Sequence, residues 1–323
     1  MDDRFPAAGQ AGRPAGLAGQ RDFRHLAFFY RSTGEYQAGV GGFIRASLAR
    51  REAVFVAVPM ARAGPLREAL GPAAGQAHFA DMAMLGRNPG RIIPAVRAFA
   101  ARHLGQPVSY VGEPAWPDRS RPELAESARH EALVNLAFAG QPVSILCPYD
   151  RAGLPTGALA DAEHTHPELM TPEGTWPSAA YLGPGTLPPG CDEPLPAPPP
   201  GAASLSYRAD LRPVRALATA QAAGAGLSPD RAADLVLAVS ELAANTLSHT
   251  AAGGVLRCWQ APGELLCEVA DRGWIADPLA GRQQPLEDGR GHGLWLVHQV
   301  CDLVELRTGP AGSTIRLHMR LDH

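Results

Sequence analysis

Between Thr171 and Pro200 the chain carries too much proline and glycine for a helix or a continuous sheet. This interruption constrains the fold more than any other feature. Its centre, Gly183–Gly201, reads GPGTLPPGCDEPLPAPPPG, and such a stretch is expected to form a semi-rigid, partly extended linker over 171–203. It divides the 323 residues into two units, each large enough to build its own core. The expected units are 21–170 and 204–323. A tail over 1–20, rich in Gly, Ala, Gln and Pro, lacks periodicity and reads as disordered.

Hydrophobic residues at 46% and charged ones at 19% are an ordinary globular balance. All 29 basic residues are arginine. The absence of lysine excludes a P-loop lysine, a protein-kinase strand lysine and Schiff-base or serine–lysine chemistry. A net charge of −3 with no strongly basic segment argues against nucleic-acid binding as the main role. The five cysteines form no C-x-x-C pair, which argues against a disulfide framework and against a cysteine zinc site. His164-x-His166 is read as a solvated pair beside the linker. Asp2, Asp3 and Arg4 head no apolar run and no stretch is long enough to span a membrane, so a cytoplasmic protein is expected.

In the first unit, apolar runs at Val54–Val58, Ala77–Met82, Ser109–Gly112 and Val143–Cys147 alternate with helical patterns. The helices are expected at Ala38–Arg50, Arg62–Leu70, Pro94–Leu104 and Pro122–Ala139. That alternation predicts a doubly wound, mostly parallel α/β sheet. Asp81, Glu113 and Asp150 follow strands, where an open α/β sheet has its ligand crevice. Asp81, Glu113, His25, Trp116, His130 and Tyr149 are therefore candidates for binding an input, although each also suits a capping or loop-fixing role.

The second unit reads as a strand at Leu205–Tyr207 and a helix at Leu211–Ala223. A longer helix follows, capped by Ser228 with Pro229 in its first turn. Strands are expected at Val255–Gln260, Leu265–Asp271, Leu303–Arg307 and Thr314–Arg320, with a helix at Leu294–Val300. In SELAANTLSHT (240–250), Glu241, Asn245 and His249 fall at i, i+4 and i+8 on one helix face. Leu235, Val239, Leu242 and Thr246 form another stripe, suited to packing on a sheet. The first face could supply a general base and a Mg²⁺ ligand, or be a plain polar surface.

Three further segments share that unit. In VADRGW (269–274), Asp271 ends a strand and Gly273 permits close approach of a flat ligand. In EDGRGHGLWLVHQV (287–300), Gly289, Gly291 and Gly293 precede an apolar helix, so freed backbone N–H groups could cradle phosphate without lysine. Arg290, and Arg282 before it, could add charge. GPAGSTIRLHM (309–319) turns through Gly312 and Ser313 into a strand beginning at Thr314.

In order and spacing these four segments resemble the N, G1, G2 and G3 boxes of the GHKL (histidine kinase-like) ATPase superfamily, over essentially all of 204–320. The compact size and SELAANTLSH look most like the anti-sigma regulatory factors that double as serine kinases. The resemblance implies a GHKL-type α/β sandwich, a mixed sheet covered by helices, that binds ATP and Mg²⁺. Asn245 would hold the metal and Glu241 would activate a serine hydroxyl. Asp271 and Gly273 would receive adenine. Gly289, Arg290, Gly291, Gly293 and Thr314 would surround the phosphates. Where the family often has a second G1 glycine, this chain has Ile275, which implies a stiffer hinge. The implied partners are a sigma factor and a STAS-domain anti-anti-sigma protein, with a homodimer possible.

DMAMLGRNPGRIIPAV (81–96), GEPAWP (112–117), HEALVNLAF (130–138) and CPYD (147–150) resemble the MEDS sensory domain of bacterial regulators. That implies a RecA-like core, here without a P-loop, receiving an unknown small-molecule or protein input. Two alternatives share the C-terminal fold. A sensor histidine kinase would need a long helical hairpin, which the proline-rich 171–203 cannot supply. A nucleotide-gated binding module would have no use for Glu241.

Overall fold

The computed structural model describes residues 23–283 and 291–321. The expected tail, Gly289 and Arg290 lie outside the described residues.

The first unit is a sheet of β1 (Arg24–Tyr30), β2 (Ala53–Val58), β3 (Ala77–Asp81), β4 (Val108–Gly112), β5 (Val143–Asp150), β6 (Glu168–Thr171) and β7 (Gly174–Pro177). Its order is β3-β2-β4-β5-β1-β6-β7. All pairings are parallel except the β6–β7 hairpin. Between the strands run α1 (Thr33–Ala49), α2 (Met60–Leu70), α3 (Met82–Leu85), α4 (Ile92–Arg102), α5 (Arg121–Ala137) and α6 (Thr156–Thr165). Alternation along β1 separates the two faces. Ala27 and Phe29 join a core with Val96, Phe99, Leu133 and Phe138 from α4, α5 and its C-cap. Leu26, Phe28 and Tyr30 join a core with Val40 and Ile44 of α1 and Leu66 of α2. Helices on both faces make this the expected doubly wound α/β fold.

Two differences from expectation stand out. β1, flanked by β5 and β6, was not among the expected strands. Both its faces are covered, and LAFFY is a short apolar run of the same kind as Val54–Val58 of β2. The linker also behaves differently. Residues 178–202 form neither helix nor strand, yet they are tied down on both sides. Gly185 N–H donates to the Ala132 carbonyl and Leu182 N–H to that of His164. Arg307 and Arg316 donate to the carbonyls of Glu193 and Pro196. The stretch is a strap across the molecule rather than a free tether.

The second unit comprises β8 (Ala203–Tyr207), α7 (Arg212–Ala225), α8 (Pro229–His249), β9 (Gly254–Ala261), β10 (Glu264–Asp271), α9 (His292–Val300), β11 (Leu303–Gly309) and β12 (Gly312–Arg320). The sheet runs β11-β12-β10-β9-β8, and every pairing is antiparallel rather than mixed. Hairpin-length connections at 262–263 and 310–311 favour that outcome, since parallel neighbours need long crossovers. One face carries Leu256, Leu265, Val269, Ile315 and Leu317 against Val214, Val239 and Val297 of the helices. The opposite face is a buried charge ladder. Arg316 donates to Glu268 at 2.7 Å, and His318 bridges Glu264 at 3.0 Å and Glu305 at 2.8 Å. No helix among the described residues is long and apolar enough to cross a membrane.

Candidate functional site

Ser228 starts α8 by accepting from Arg231 N–H, with Pro229 in the first turn. The predicted stripe of Leu235, Val239, Leu242 and Thr246 is buried against the sheet. That leaves Glu241 and Asn245 half-buried at the edge and His249 exposed. Asp271, the last residue of β10, stands between Gly254 of β9 and Ser313 of β12. The Thr246 hydroxyl donates to Asp271 Oδ2 at 2.5 Å and accepts from Tyr207 Oη at 3.1 Å. Gly273 N–H donates to Asp271 Oδ1 at 2.7 Å. Each carboxylate oxygen has two lone pairs, so Asp271 is fixed from behind and still able to accept in front.

In front lies a cavity of about 280 Å³ between α8 and the sheet. Leu242, Val269, Ile275, Leu294 and Ile315 give it apolar walls, and Asn245 and Asp271 supply polar groups. A flat apolar slot with one fixed acceptor suits a heteroaromatic ring bearing an amino group. Ile275, where the family often has glycine, therefore forms part of that wall. Its N–H donates to Thr308 Oγ1 at 2.9 Å, and Thr308 Oγ1 is 2.7 Å from Ser313 Oγ.

Three glycines leave room at this end of the site. A Cβ on Gly293, in the first turn of α9, would stand 2.9 Å from Glu241 Oε2 and 3.2 Å from Asn245 Nδ2. Gly291 caps α9 with φ at +82°, a left-handed conformation that favours glycine. A Cβ on Gly312 would strike the Asp271 carbonyl at 2.2 Å, so this turn, too, is closed to side chains.

Two expectations for the phosphate end are corrected. Ser313, not Thr314, faces the cavity and donates to the Gly273 carbonyl at 2.8 Å. Thr314, the next residue of the strand, points to the opposite face. Arg282 is buried against Glu126 of α5 at 3.2 Å, committed to the first unit rather than offered to an anion.

Of the six input candidates of the first unit, three gather around one residue and three stand apart. Asp81 caps α3, accepting from Ala83 N–H, and Trp116 lies under the Arg119 guanidinium, 3.9 Å from its ring centre. Glu113, beyond β4, accepts from Tyr30 and Tyr36 hydroxyls at 3.1 Å each. Burial raises its carboxyl to about 7 against the pull of Arg62 and both tyrosines. His25, His130 and Tyr149 surround or adjoin Glu131 of α5. Burial keeps His130 neutral, at about 4. Cys147 and His166 also belong to this cluster, so His166 is fully buried rather than solvated.

The two units meet along α5, β11 and α9. Glu126 of α5 receives Arg307 of β11 at 2.8 Å as well as Arg282. Arg320 donates to Glu123 at 2.5 Å, and Arg87 pairs with Asp302 at 2.8 Å. Asn88 donates to the His298 carbonyl in α9 at 3.0 Å, and Arg97 to Gln283 at 2.8 Å.

Comparisons with known proteins match the chain in two separate segments. The family model described as MEDS, the methanogen/methylotroph DcmR sensory domain, matches residues 24–167. The histidine kinase-like ATPase domain model matches residues 206–319. No curated protein matches the chain. A solved structure of the RsbU and RsbW domains of Rv1364c from Mycobacterium tuberculosis is 25% identical, with a TM-score of 0.30. The match covers 39% of this chain and 34% of that one, so the chain spans about a third of that relative's length. The chain joins a MEDS sensory domain to a histidine kinase-like ATPase domain.

Proposed function

We propose that the chain is a signal-responsive anti-sigma regulatory factor that binds ATP with Mg²⁺ and phosphorylates a serine of a STAS-type anti-anti-sigma protein. The observation that carries this reading is the position of Glu241. Its carboxylate lies next to Gly293, as does the Asn245 amide one turn along α8, and Asn245 lines the Asp271 cavity. The other side of Glu241 borders an open groove lined by Thr219, Ala233, Val236, Leu237 and Ser240. A base between a nucleotide slot and an exposed groove is suited to a hydroxyl arriving on another protein.

The residues fit the nucleotide and metal. Gly293 leaves free the space a Cβ would fill, and Asn245 offers a hard amide oxygen of the kind Mg²⁺ prefers. When bound, the metal neutralises phosphate charge, and the remaining catalytic requirement is positioning. Asp271 orients the adenine amino group. Glu241 Oε2 accepts the proton of the incoming serine hydroxyl. Partner switching follows from competition: a sigma factor and its antagonist exclude one another on one regulator, and the nucleotide state biases which is held. The MEDS domain supplies the input, and the cytoplasm is the setting.

The test is transfer from γ-labelled ATP with Mg²⁺, using the full chain alone and then with extract from its source. An acid-stable, base-labile label on a separate small protein, lost in Glu241→Ala, is the expected result. An acid-labile label on the chain itself would mean a histidine kinase. ATP binding without transfer would mean a nucleotide-gated binding module.

A further inference from the structure

Outside the nucleotide site, one cluster brings together four electron-pair donors with too few protons to satisfy them. His25 of β1, Glu131 of α5, Cys147 of β5 and His166 beyond α6 are all buried, and one ligand atom from each lies within 4.8 Å of the others. His25 Nε2 is 3.0 Å from Glu131 Oε2 and 3.5 Å from Cys147 Sγ. Cys147 Sγ is 3.5 Å, and His166 Nε2 3.6 Å, from that same carboxylate oxygen.

The surrounding bonds fix which ring nitrogen carries each proton. Asn135 Nδ2 donates to the Thr165 carbonyl at 2.8 Å, so its Oδ1 faces His25 and accepts from His25 Nδ1 at 3.1 Å. His166 Nδ1 donates to the Ala162 carbonyl at 2.8 Å. On both rings Nδ1 is therefore the committed donor and Nε2 points inward, and His166 Nε2 has no hydrogen-bond partner although fully buried. Two acceptors 3.0 Å apart need a proton or a cation between them. One proton would serve His25 and Glu131 but leave His166 unmet; a metal ion serves all four donors at once. Tyr149, donating to Glu131 Oε1, and the two carbonyl acceptors are the outer partners that metal-bound carboxylates and imidazoles ordinarily have.

We infer that His25, Glu131, Cys147 and His166 form a four-coordinate site for a divalent transition-metal ion of borderline softness, Zn²⁺ above all. With metal–nitrogen and metal–oxygen bonds near 2.0 Å and a metal–sulfur bond near 2.3 Å, a tetrahedron has edges of about 3.3–3.6 Å. Four of the six separations, 3.0, 3.5, 3.5 and 3.6 Å, lie in or close to that range and all six are within 4.8 Å, so the ligand atoms need only close in around an ion. Binding one ion displaces the Cys147 thiol proton and any proton shared by His25 and Glu131, which leave to solvent. Mixed imidazole, carboxylate and thiolate donors disfavour Mg²⁺ and Ca²⁺. The site is separate from the nucleotide cavity and does not depend on the kinase reading.

The test loads the chelator-treated full chain with Co²⁺ and then Zn²⁺. Expected is one ion per chain, with the visible absorption of tetrahedral cobalt and a thiolate-to-cobalt band that Zn²⁺ abolishes. Cys147→Ser should remove the thiolate band and lower affinity at least tenfold, and His166→Ala should lower affinity similarly. Cys191→Ser should leave both unchanged. X-ray absorption on the zinc-loaded unaltered chain settles the matter if either variant fails to fold. One sulfur with three nitrogen or oxygen neighbours supports the site. Failure to bind, no sulfur, or two or more sulfurs overturns it.

Discussion

Arg282 and Glu126 lie 156 residues apart in sequence and form a buried ion pair at 3.2 Å. Glu126 belongs to the sensory domain and Arg282 to the ATPase domain, just ahead of α9. Arg307 at 2.8 Å and Arg129 at 3.5 Å complete three guanidinium groups around one carboxylate. Burial lowers Arg282 to about 10, which still leaves it charged. Glu126 is thus the carboxylate that all three guanidinium groups share, two of them from across the domain boundary.

Removing that carboxylate takes an ion-pair partner from the buried Arg282 and Arg129 and from the half-buried Arg307. Breaking a buried pair by deleting one member typically costs about 3–5 kcal/mol. Glu126→Gln is expected to destabilise the chain on that scale in urea unfolding, and to split a single unfolding transition into two. One unchanged transition would show that the other domain contacts suffice.

The nucleotide site predicts different outcomes for two neighbours on α8. Asn245→Ala should abolish Mg²⁺-dependent nucleotide binding while leaving the circular dichroism of the helix unchanged. Glu241→Ala should retain binding and lose transfer, since a positioned general base contributes about 10²–10⁴-fold. Unaltered ATP affinity in Asn245→Ala would remove the metal-ligand assignment.

Much of this was legible in the sequence, for physical reasons that differ by element. The i, i+4 spacing of Glu241 and Asn245 fixes their face because α8 is a long amphipathic helix. Asp271 is marked by the end of an apolar strand. β1 was missed although LAFFY is an apolar run of the same kind as Val54–Val58 of β2, so its signal was present in the sequence. The His25–Glu131–Cys147–His166 cluster could not be read from spacing, since β1, α5, β5 and the end of α6 bring its members from separate parts of the chain. The strap over 178–202 was likewise hidden, because its anchors are backbone carbonyls, which composition does not reveal.

Ser313 and Thr314 differ by one strand position and should differ in effect. Ser313→Ala removes the donor to the Gly273 carbonyl and loosens the loop beneath the adenine slot. A loss of about 1–1.5 kcal/mol, roughly tenfold in nucleotide affinity, is expected. Thr314→Val should stay within about 0.5 kcal/mol, as substitutions away from a site usually do. Trp274, exposed at the cavity, allows both to be measured by fluorescence titration.

Glu113 should impose a pH dependence of known sign on stability. Burial raises its carboxyl from the ordinary 4.5 to about 7, so the folded state holds a proton that the unfolded chain releases between those values. Its favourable contribution is fully present below about pH 4.5 and is lost as pH rises through 7. Above that, the native state carries an ionised buried carboxylate, costing up to about 3 kcal/mol at 1.36 kcal/mol per pH unit. Glu113→Gln keeps the shape of the protonated group and cannot ionise. Its stability should approach that of the parent near pH 4.5 and exceed it at pH 8, by an amount that grows across the interval. Urea unfolding of both proteins from pH 4.5 to 8.5 measures this difference. A constant offset would mean that Glu113 is ionised throughout, held by Arg62 and the Tyr30 and Tyr36 hydroxyls despite its burial.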